Sequence, residues 1–189
     1  MPIDPREWLQ NSAPPPSDRA EEESTRSEDE ADAEVAGTIA LRKLAARART
    51  RYELDQVLQA KNVSPSVKDA VLDRMQEVGL VDDASFAADW VASRQQRRHL
   101  SRRALRRELE AKGVGRSDID SALNDVDLDS ELTTARDLVE RKRATMSGLA
   151  RDVQYRRLAG ILGRRGFDTA VTVQVLNELF GPVSRERHT

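Results

Sequence analysis

Arginines at helical spacing are the residues of this chain best suited to binding an acidic partner. In the run "RRALRRELEAKGV", Arg102 and Arg106 are four residues apart, and so are Arg103 and Arg107. Residues at this spacing lie on one face of an α-helix. The planar guanidinium group donates paired hydrogen bonds to phosphate and carboxylate oxygens. The spacing therefore predicts two adjacent basic rows that face phosphates or an acidic protein surface.

The same basic bias occurs in two segments of the chain. Residues 91–117 contain nine basic residues against two acids, and residues 138–165 contain eight against two. We predict partner contacts at Arg94, Arg97, Arg98, Arg102, Arg103, Arg106, Arg107, Lys112, Arg156, Arg157, Arg164 and Arg165. The alternative is a solvated helix face in a chain with arginine-rich codon usage. Dense like charge destabilises a helix that has no compensating partner, so we favour a binding surface.

The composition argues against catalysis. The chain has no cysteine, which excludes disulfides and thiolate chemistry. Its two histidines, His99 and His188, are far apart in sequence, which disfavours a histidine metal cluster or a histidine-based triad. The run "GRRG" at 163–166 lacks the lysine and hydroxyl residue of a phosphate-binding loop. We therefore expect a non-enzymatic protein with no catalytic, cofactor or metal site.

Two weaker signals near residue 85 each allow two interpretations. Asp82 and Asp83 could pair as catalytic acids, but one of them capping a helix explains them more simply. Phe86 and Trp90 could stack on nucleic-acid bases. Their spacing of four residues, beside other apolar positions, favours a place in the hydrophobic core.

One helical pattern occurs three times and predicts the architecture. Its leucine pairs are Leu54 with Leu58, Leu105 with Leu109, and Leu158 with Leu162. The offsets between them are 51 and 53 residues. A period near fifty with apolar residues at helical spacing indicates one helical unit used three times. Each unit alone buries little apolar surface, so we expect an all-α, elongated array of three tandem three-helix repeats.

The expected organisation has five parts. They are an acidic extension at 1–37, repeats at 38–80, 81–126 and 127–180, and a tail at 181–189. The extension has a net charge of −8 and five of the seven prolines, a composition that predicts disorder. The remainder has a net charge of +6. No apolar run reaches the roughly 18 residues of a membrane span, so we expect a cytoplasmic protein with no membrane contact.

Three stretches resemble the RecX family of bacterial regulatory proteins. They are "ALRKLAARARTRYELDQVLQAKNV", "VDDASFAADWVASR" and "RRALRRELEAKGV", followed by a helix with Ile119, Ala122 and Leu123. The resemblance covers residues 38–180 and is most specific in the middle repeat. Two features differ from the family pattern: His99, Leu100 and Ser101 replace a frequent glycine, and the acidic extension has no counterpart.

The resemblance implies a curved array and a regulatory function. The function implied by the resemblance is binding of the RecA recombinase and its filament on single-stranded DNA, with inhibition of recombinase activity. We accordingly expect this chain to act as a monomer, with the RecA filament as partner and single-stranded DNA as a further ligand. The alternative is a tandem helix-turn-helix-like DNA-binding regulator, because three-helix units with short turns also bind duplex DNA.

Overall fold

The computed structural model describes residues 17–181, with side chains from residue 29 onward. Within residues 17–181 the backbone forms nine α-helices, a short 3-10 helix at Ala144–Met146, and no strand. The α-helices are α1 (Ser17–Ala46), α2 (Arg51–Gln59), α3 (Pro65–Glu77), α4 (Asp83–Arg98), α5 (Arg102–Glu110), α6 (Arg116–Ala122), α7 (Leu128–Arg143), α8 (Arg151–Arg164) and α9 (Thr169–Phe180). The predicted all-α fold with three triplets of helices is confirmed.

Short polar residues determine where most helices begin. In six cases the side chain before the helix accepts a hydrogen bond from the backbone N–H three residues later. These residues are Thr50, Ser64, Asp82, Ser101, Asp127 and Asp168. Such caps satisfy N–H groups that the first turn of a helix leaves without a partner. Asp82 is therefore a helix cap, as its simpler interpretation predicted.

A left-handed residue follows the second helix of each repeat. Asn62, Gly113 and Gly166 have φ angles of 59°, 72° and 91°. This conformation reverses the chain toward the third helix and favours glycine or asparagine. His99 also has a positive φ, 50°, at the end of α4. His99 thus occupies the turn between α4 and α5, where the family that this chain resembles often has glycine.

Each repeat has its own hydrophobic core. The six leucines of the repeated pattern are completely buried, two in each core. Burying one leucine contributes roughly 2 kcal/mol. Phe86 is buried in the second core and Trp90 packs against it, so the prediction that these rings are core residues is confirmed. The first core also includes Ala36 and Val81, which lie just outside the expected range 38–80.

The start of the first repeat differs from the expected disorder of residues 1–37. Helix α1 already includes residues 17–37, so the prediction is wrong for this stretch. Ala33, Ala36 and Ala40 form a stripe along α1 that packs into the first core. These small residues allow close helix packing, although the acidic composition around them indicated a solvated chain. Residues 1–16 and 182–189 lie outside the described residues.

The repeats meet at two similar joints. At the first, the Thr50 hydroxyl donates a 2.6 Å hydrogen bond to the Lys112 carbonyl, and the Arg51 N–H donates to Asp83 at 2.9 Å. At the second, the Ser101 N–H donates to the Arg165 carbonyl at 3.1 Å. Both joints place the start of one repeat's second helix against the end of the next repeat's second helix. The chain is thus an array in which each repeat contacts its neighbour.

Candidate basic interface

Helix α5 carries the two arginine rows that the spacing predicts. Ser101 caps the helix, and Leu105 and Leu109 anchor it in the second core. This packing leaves Arg103 and Arg107 exposed, whereas Arg102 and Arg106 are half-buried. The two rows therefore differ in their environments, which the sequence pattern alone does not reveal.

Arg102 and Arg106 are bound within the protein. The Arg102 guanidinium donates to the Val126 carbonyl at 3.0 Å. Arg106 forms an ion pair with Asp120, and this hydrogen bond lowers the pKa of the Asp120 carboxyl below its ordinary value. Within the described side chains, Arg103 and Arg107 have neither an ion pair nor a hydrogen bond through the guanidinium. Arg103 and Arg107 are thus the α5 arginines available to a partner.

A cleft of about 290 Å³ lies at the second joint. It is lined by Arg102, Arg103, Arg106, Glu131, Gly166 and Asp168. Glu131 accepts the Arg102 N–H at 2.8 Å, and Asp168 accepts the Val171 N–H at 2.8 Å. Both carboxylates are engaged with backbone donors. The cleft therefore brings together three predicted site residues, and among them Arg103 has a guanidinium with no internal partner.

Two other predicted contact residues, Arg94 and Lys112, lie over the Trp90 ring. The Arg94 guanidinium lies 3.9 Å from the ring centroid and the Lys112 ammonium 4.3 Å from it. Glu108 accepts hydrogen bonds from the Trp90 indole and from Arg94, both at 2.8 Å. Cation–π and charged hydrogen bonds of this kind hold side chains in place. Arg94 and Lys112 thus already have partners within the protein, and their contact with another molecule stays a prediction.

Lys112 also connects the first two repeats. Its ammonium group forms a 2.7 Å ion pair with Glu53 on α2. Burial would by itself raise the pKa of Glu53, but Lys112, with Arg47 and Arg49, holds that pKa below its ordinary value. The Glu53 carboxylate is therefore charged at neutral pH. Sequence reasoning missed this pair, because its two residues are 59 positions apart.

The remaining arginines of α4 are mostly exposed. Arg98 lies 3.7 Å from Glu108, a distance typical of a weak surface pair. Arg97 is exposed and forms no ion pair with any described residue. Both side chains remain accessible at the C-terminal end of α4.

Helix α8 repeats part of this pattern. Arg156 pairs with Asp152 at 2.7 Å on the helix surface. Arg157 and Arg164 are exposed, with no ion pair among the described side chains, whereas Arg165 is half-buried beside the second joint. No residue of α8 lines the cleft at the second joint, although Gly166 and Asp168, which follow α8, do. The α8 arginines are therefore a separate basic surface on the third repeat.

The described residues offer no metal-binding cluster. Within residues 29–181, no three histidine, cysteine or acidic side chains converge.

Two further titratable residues have shifted pKa values. Burial lowers the pKa of His99, and the nearby charges of Arg141, Arg165 and Lys142 lower it further, against the opposing effect of Asp137. Asp83 has a raised pKa, chiefly because it is half-buried, and it accepts the Arg51 N–H at the first joint. The role of Asp83 is therefore structural, since its carboxylate links the first two repeats.

Comparison with known proteins places the chain in a family. The model of the first three-helix domain of RecX matches residues 36–75, and that of the second three-helix domain matches residues 82–123. The regulatory protein RecX of Streptomyces coelicolor is 43% identical over 145 residues, which is 77% of each chain. That of Mycobacterium marinum is 44% identical over 144 residues, 76% of this chain and 83% of the relative.

The regulatory protein RecX of Mycolicibacterium smegmatis aligns with nearly the whole chain. It is 39% identical over 188 residues, and the alignment covers 97% of both chains. That alignment therefore includes most of the acidic extension, whereas the family model of the first domain begins at residue 36.

Solved structures support the same fold. The crystal structure of RecX from Lactobacillus salivarius has a TM-score of 0.68 at 18% identity and covers 78% of this chain and 96% of its own. A second crystal structure of a regulatory protein RecX has a TM-score of 0.69 at 19% identity, with 93% and 86% covered. At such identity the likeness concerns the fold, and the relatives above carry the assignment. The chain belongs to the RecX family.

Proposed function

We propose that this protein binds the RecA recombinase and its filament on single-stranded DNA and inhibits recombinase activity without catalysing a reaction. Membership of a family whose relatives are named regulatory proteins supports this proposal. The observation that carries it is the set of exposed arginines without internal partners: Arg97, Arg103, Arg107, Arg157 and Arg164. Such side chains offer paired hydrogen bonds to phosphates or carboxylates.

The array explains how such contacts combine. The free arginines lie on two successive repeats, so a regularly repeating partner can meet them together. Several weak ionic contacts on one molecule bind more tightly than any single contact, because the later contacts form intramolecularly. A protein held along a filament in this way blocks addition of recombinase subunits or turnover of nucleotide. We propose that it does so as a monomer in the cytoplasm. In the described part of the chain, no helix is long and apolar enough to cross a membrane.

The test is ATP hydrolysis by the cognate recombinase on single-stranded DNA. We expect the purified protein to lower the hydrolysis rate, and the variant Arg103→Ala/Arg107→Ala to lower it less. A matched control is Arg42→Ala/Lys61→Ala, which removes two exposed basic residues from the first repeat. No inhibition at a molar excess over filament ends contradicts the proposed function. Equal loss of inhibition in both variants shows that net charge matters and that the α5 surface does not.

A further inference from the structure

An apolar groove of about 400 Å³ runs along the first repeat. One wall is α1, which contributes Ala33, Gly37 and Leu41 at intervals of four residues, and the other wall includes Val78 and Leu80. The small residues of α1 keep the groove open. A Cβ atom added at Gly37 would meet no other atom within 4 Å.

The walls of this groove expose large aliphatic side chains. Leu41, Val78 and Leu80 are 47%, 51% and 51% exposed. Apolar surface collected in a groove differs from singly scattered apolar residues, since it marks a place where another apolar segment binds. None of the described residues covers it.

The chain itself provides a matching segment in residues 1–16, which lie outside the described residues. This segment contains Ile3, Trp8 and Leu9, whereas residues 182–189 contain Val183 as their one large aliphatic residue. The indole of a tryptophan buries more apolar area than most other side chains. The N-terminal segment is therefore the better apolar partner for the groove.

The extended length of the N-terminal segment can be compared with the distance along α1 from Ser17 to the groove. From Ser17 to Ala33 the helix rises about 24 Å, and to Gly37 about 30 Å, at 1.5 Å per residue. Trp8 precedes Ser17 by nine residues, which span about 30 Å when extended. A fully extended segment that turns back at Ser17 thus brings Trp8 to the near end of the groove, at Ala33.

Charge favours the same occupant. Arg74 lines the groove, and its surface pair with Glu77 at 3.1 Å is a weak one. Asp4 and Glu7 lie on the segment beside its apolar residues. The segment carries Asp4, Arg6 and Glu7, a net side-chain charge of −1, so a carboxylate beside its aromatic anchor can pair with Arg74 at the rim of the groove.

We propose that residues 1–16 fold back along α1 and that Trp8 and Leu9 occupy the groove of the first repeat. The N-terminal segment then covers the apolar surface of this repeat and keeps it from other proteins. This inference concerns the first repeat and is independent of the arginine surfaces proposed above to bind the filament.

The absence of cysteine allows a specific test in the full chain. A bimane dye attached through Val78→Cys lies in the groove, and tryptophan quenches this dye on contact. We expect quenching that is lost when Trp8→Ala is added. Trp90 is present in both variants, so the difference reports Trp8 alone. The matched control is the same dye at Lys61→Cys, an exposed position that does not line the groove, where Trp8→Ala should have no effect.

Two further measurements separate the possible occupants. Leu41→Ser makes the groove polar and should abolish the quenching while circular dichroism reports an unchanged helix content. Quenching by residues of the same chain is independent of protein concentration. Quenching that rises with concentration, or that unlabelled chain induces, identifies a second copy as the occupant and overturns the proposal. Absence of Trp8-dependent quenching at position 78 also overturns it and leaves the groove to a different protein.

Discussion

Replacing two pairs of arginines on α5 distinguishes binding from folding. The first variant is Arg103→Ala/Arg107→Ala, which removes the exposed pair without internal partners. The second is Arg102→Ala/Arg106→Ala, which removes the pair bound to the Val126 carbonyl and to an aspartate. Both variants delete two positive charges from the same helix. Any difference between them therefore arises from the environments of the side chains.

The structure gives the expected stabilities. Loss of the charged hydrogen bond from Arg102 costs about 1–2 kcal/mol, after allowing for its partial exposure. Loss of the pair between Arg106 and Asp120 adds little, because ion pairs near the surface are weak. The Arg102→Ala/Arg106→Ala variant should thus lose about 1–2 kcal/mol of unfolding free energy. The Arg103→Ala/Arg107→Ala variant should remain within about 0.5 kcal/mol of the parent protein, because surface changes of this kind are nearly neutral.

For binding, we expect the larger effect in the other variant, Arg103→Ala/Arg107→Ala. Each phosphate contact on single-stranded DNA contributes about −0.7 to the slope of log affinity against log salt. Loss of Arg103 and Arg107 should therefore reduce the slope by about 1.4 in magnitude, whereas loss of Arg102 and Arg106 should change it less. Removing the repulsion between neighbouring arginines also slightly favours the helix.

Fluorescence anisotropy of labelled single strands, filament and random duplex over a salt series measures the slopes. Urea unfolding followed by circular dichroism measures the stabilities. An unchanged salt slope after Arg103→Ala/Arg107→Ala refutes the assignment of these two residues to the interface. Preference for one duplex sequence by several kcal/mol favours the alternative, a DNA-binding regulator that reads base edges.

Three further predictions concern the joints and the shape of the array. Lys112→Met should cost about 1–3 kcal/mol, because it removes the closer of the two cations paired with the Glu53 carboxylate and leaves only Arg47, at 3.5 Å. The pKa of Glu53 is lowered in the folded state, so the stability from this pair is present at neutral pH and is lost as the pH falls below 4.5. Urea unfolding at several pH values should show a smaller acid loss in Lys112→Met, and an equal loss would contradict the role of this pair. Gly113→Ala should be destabilising, because φ is 72° and the new Cβ would clash with the Tyr52 ring. Adding Tyr52→Ala should recover the part due to the clash, and a strictly additive double mutant would disprove the contact. A chain limited to residues 29–181 should have a radius of gyration above the roughly 15 Å of a compact domain of that size. Small-angle scattering measures it, and a value near 15 Å would count against an elongated array.

The periodic elements of the fold were predictable from sequence. Leu105 and Leu109 are buried because their spacing places them on one helix face, and this relation is local. The cap at Ser101 and the turn at Gly113 are local as well. Such features depend on residues within one or two helical turns, which the sequence displays directly.

The N-terminal boundary was predicted wrongly. Acidic residues dominate the composition before Thr38, but Ala33 and Ala36 at helical spacing extend α1 into the first core. Composition averages over a segment, whereas packing depends on the few side chains that face a neighbour. A stripe of alanines is a weak apolar signal and was hidden by the charges around it.

The sequence by itself determined the repeat period, the helix faces, the arginine rows on α5 and the basic bias of residues 138–165. Tertiary structure alone decided which of these basic residues are free. Lys112 is bound to Glu53, 59 residues away, and Arg102 to the carbonyl of Val126. Arg103, one residue from Arg102, has no such partner among the described residues. The physical reason is that ion pairs and hydrogen bonds act over a few ångströms, and only the packing of helices from different parts of the chain brings these groups within that distance.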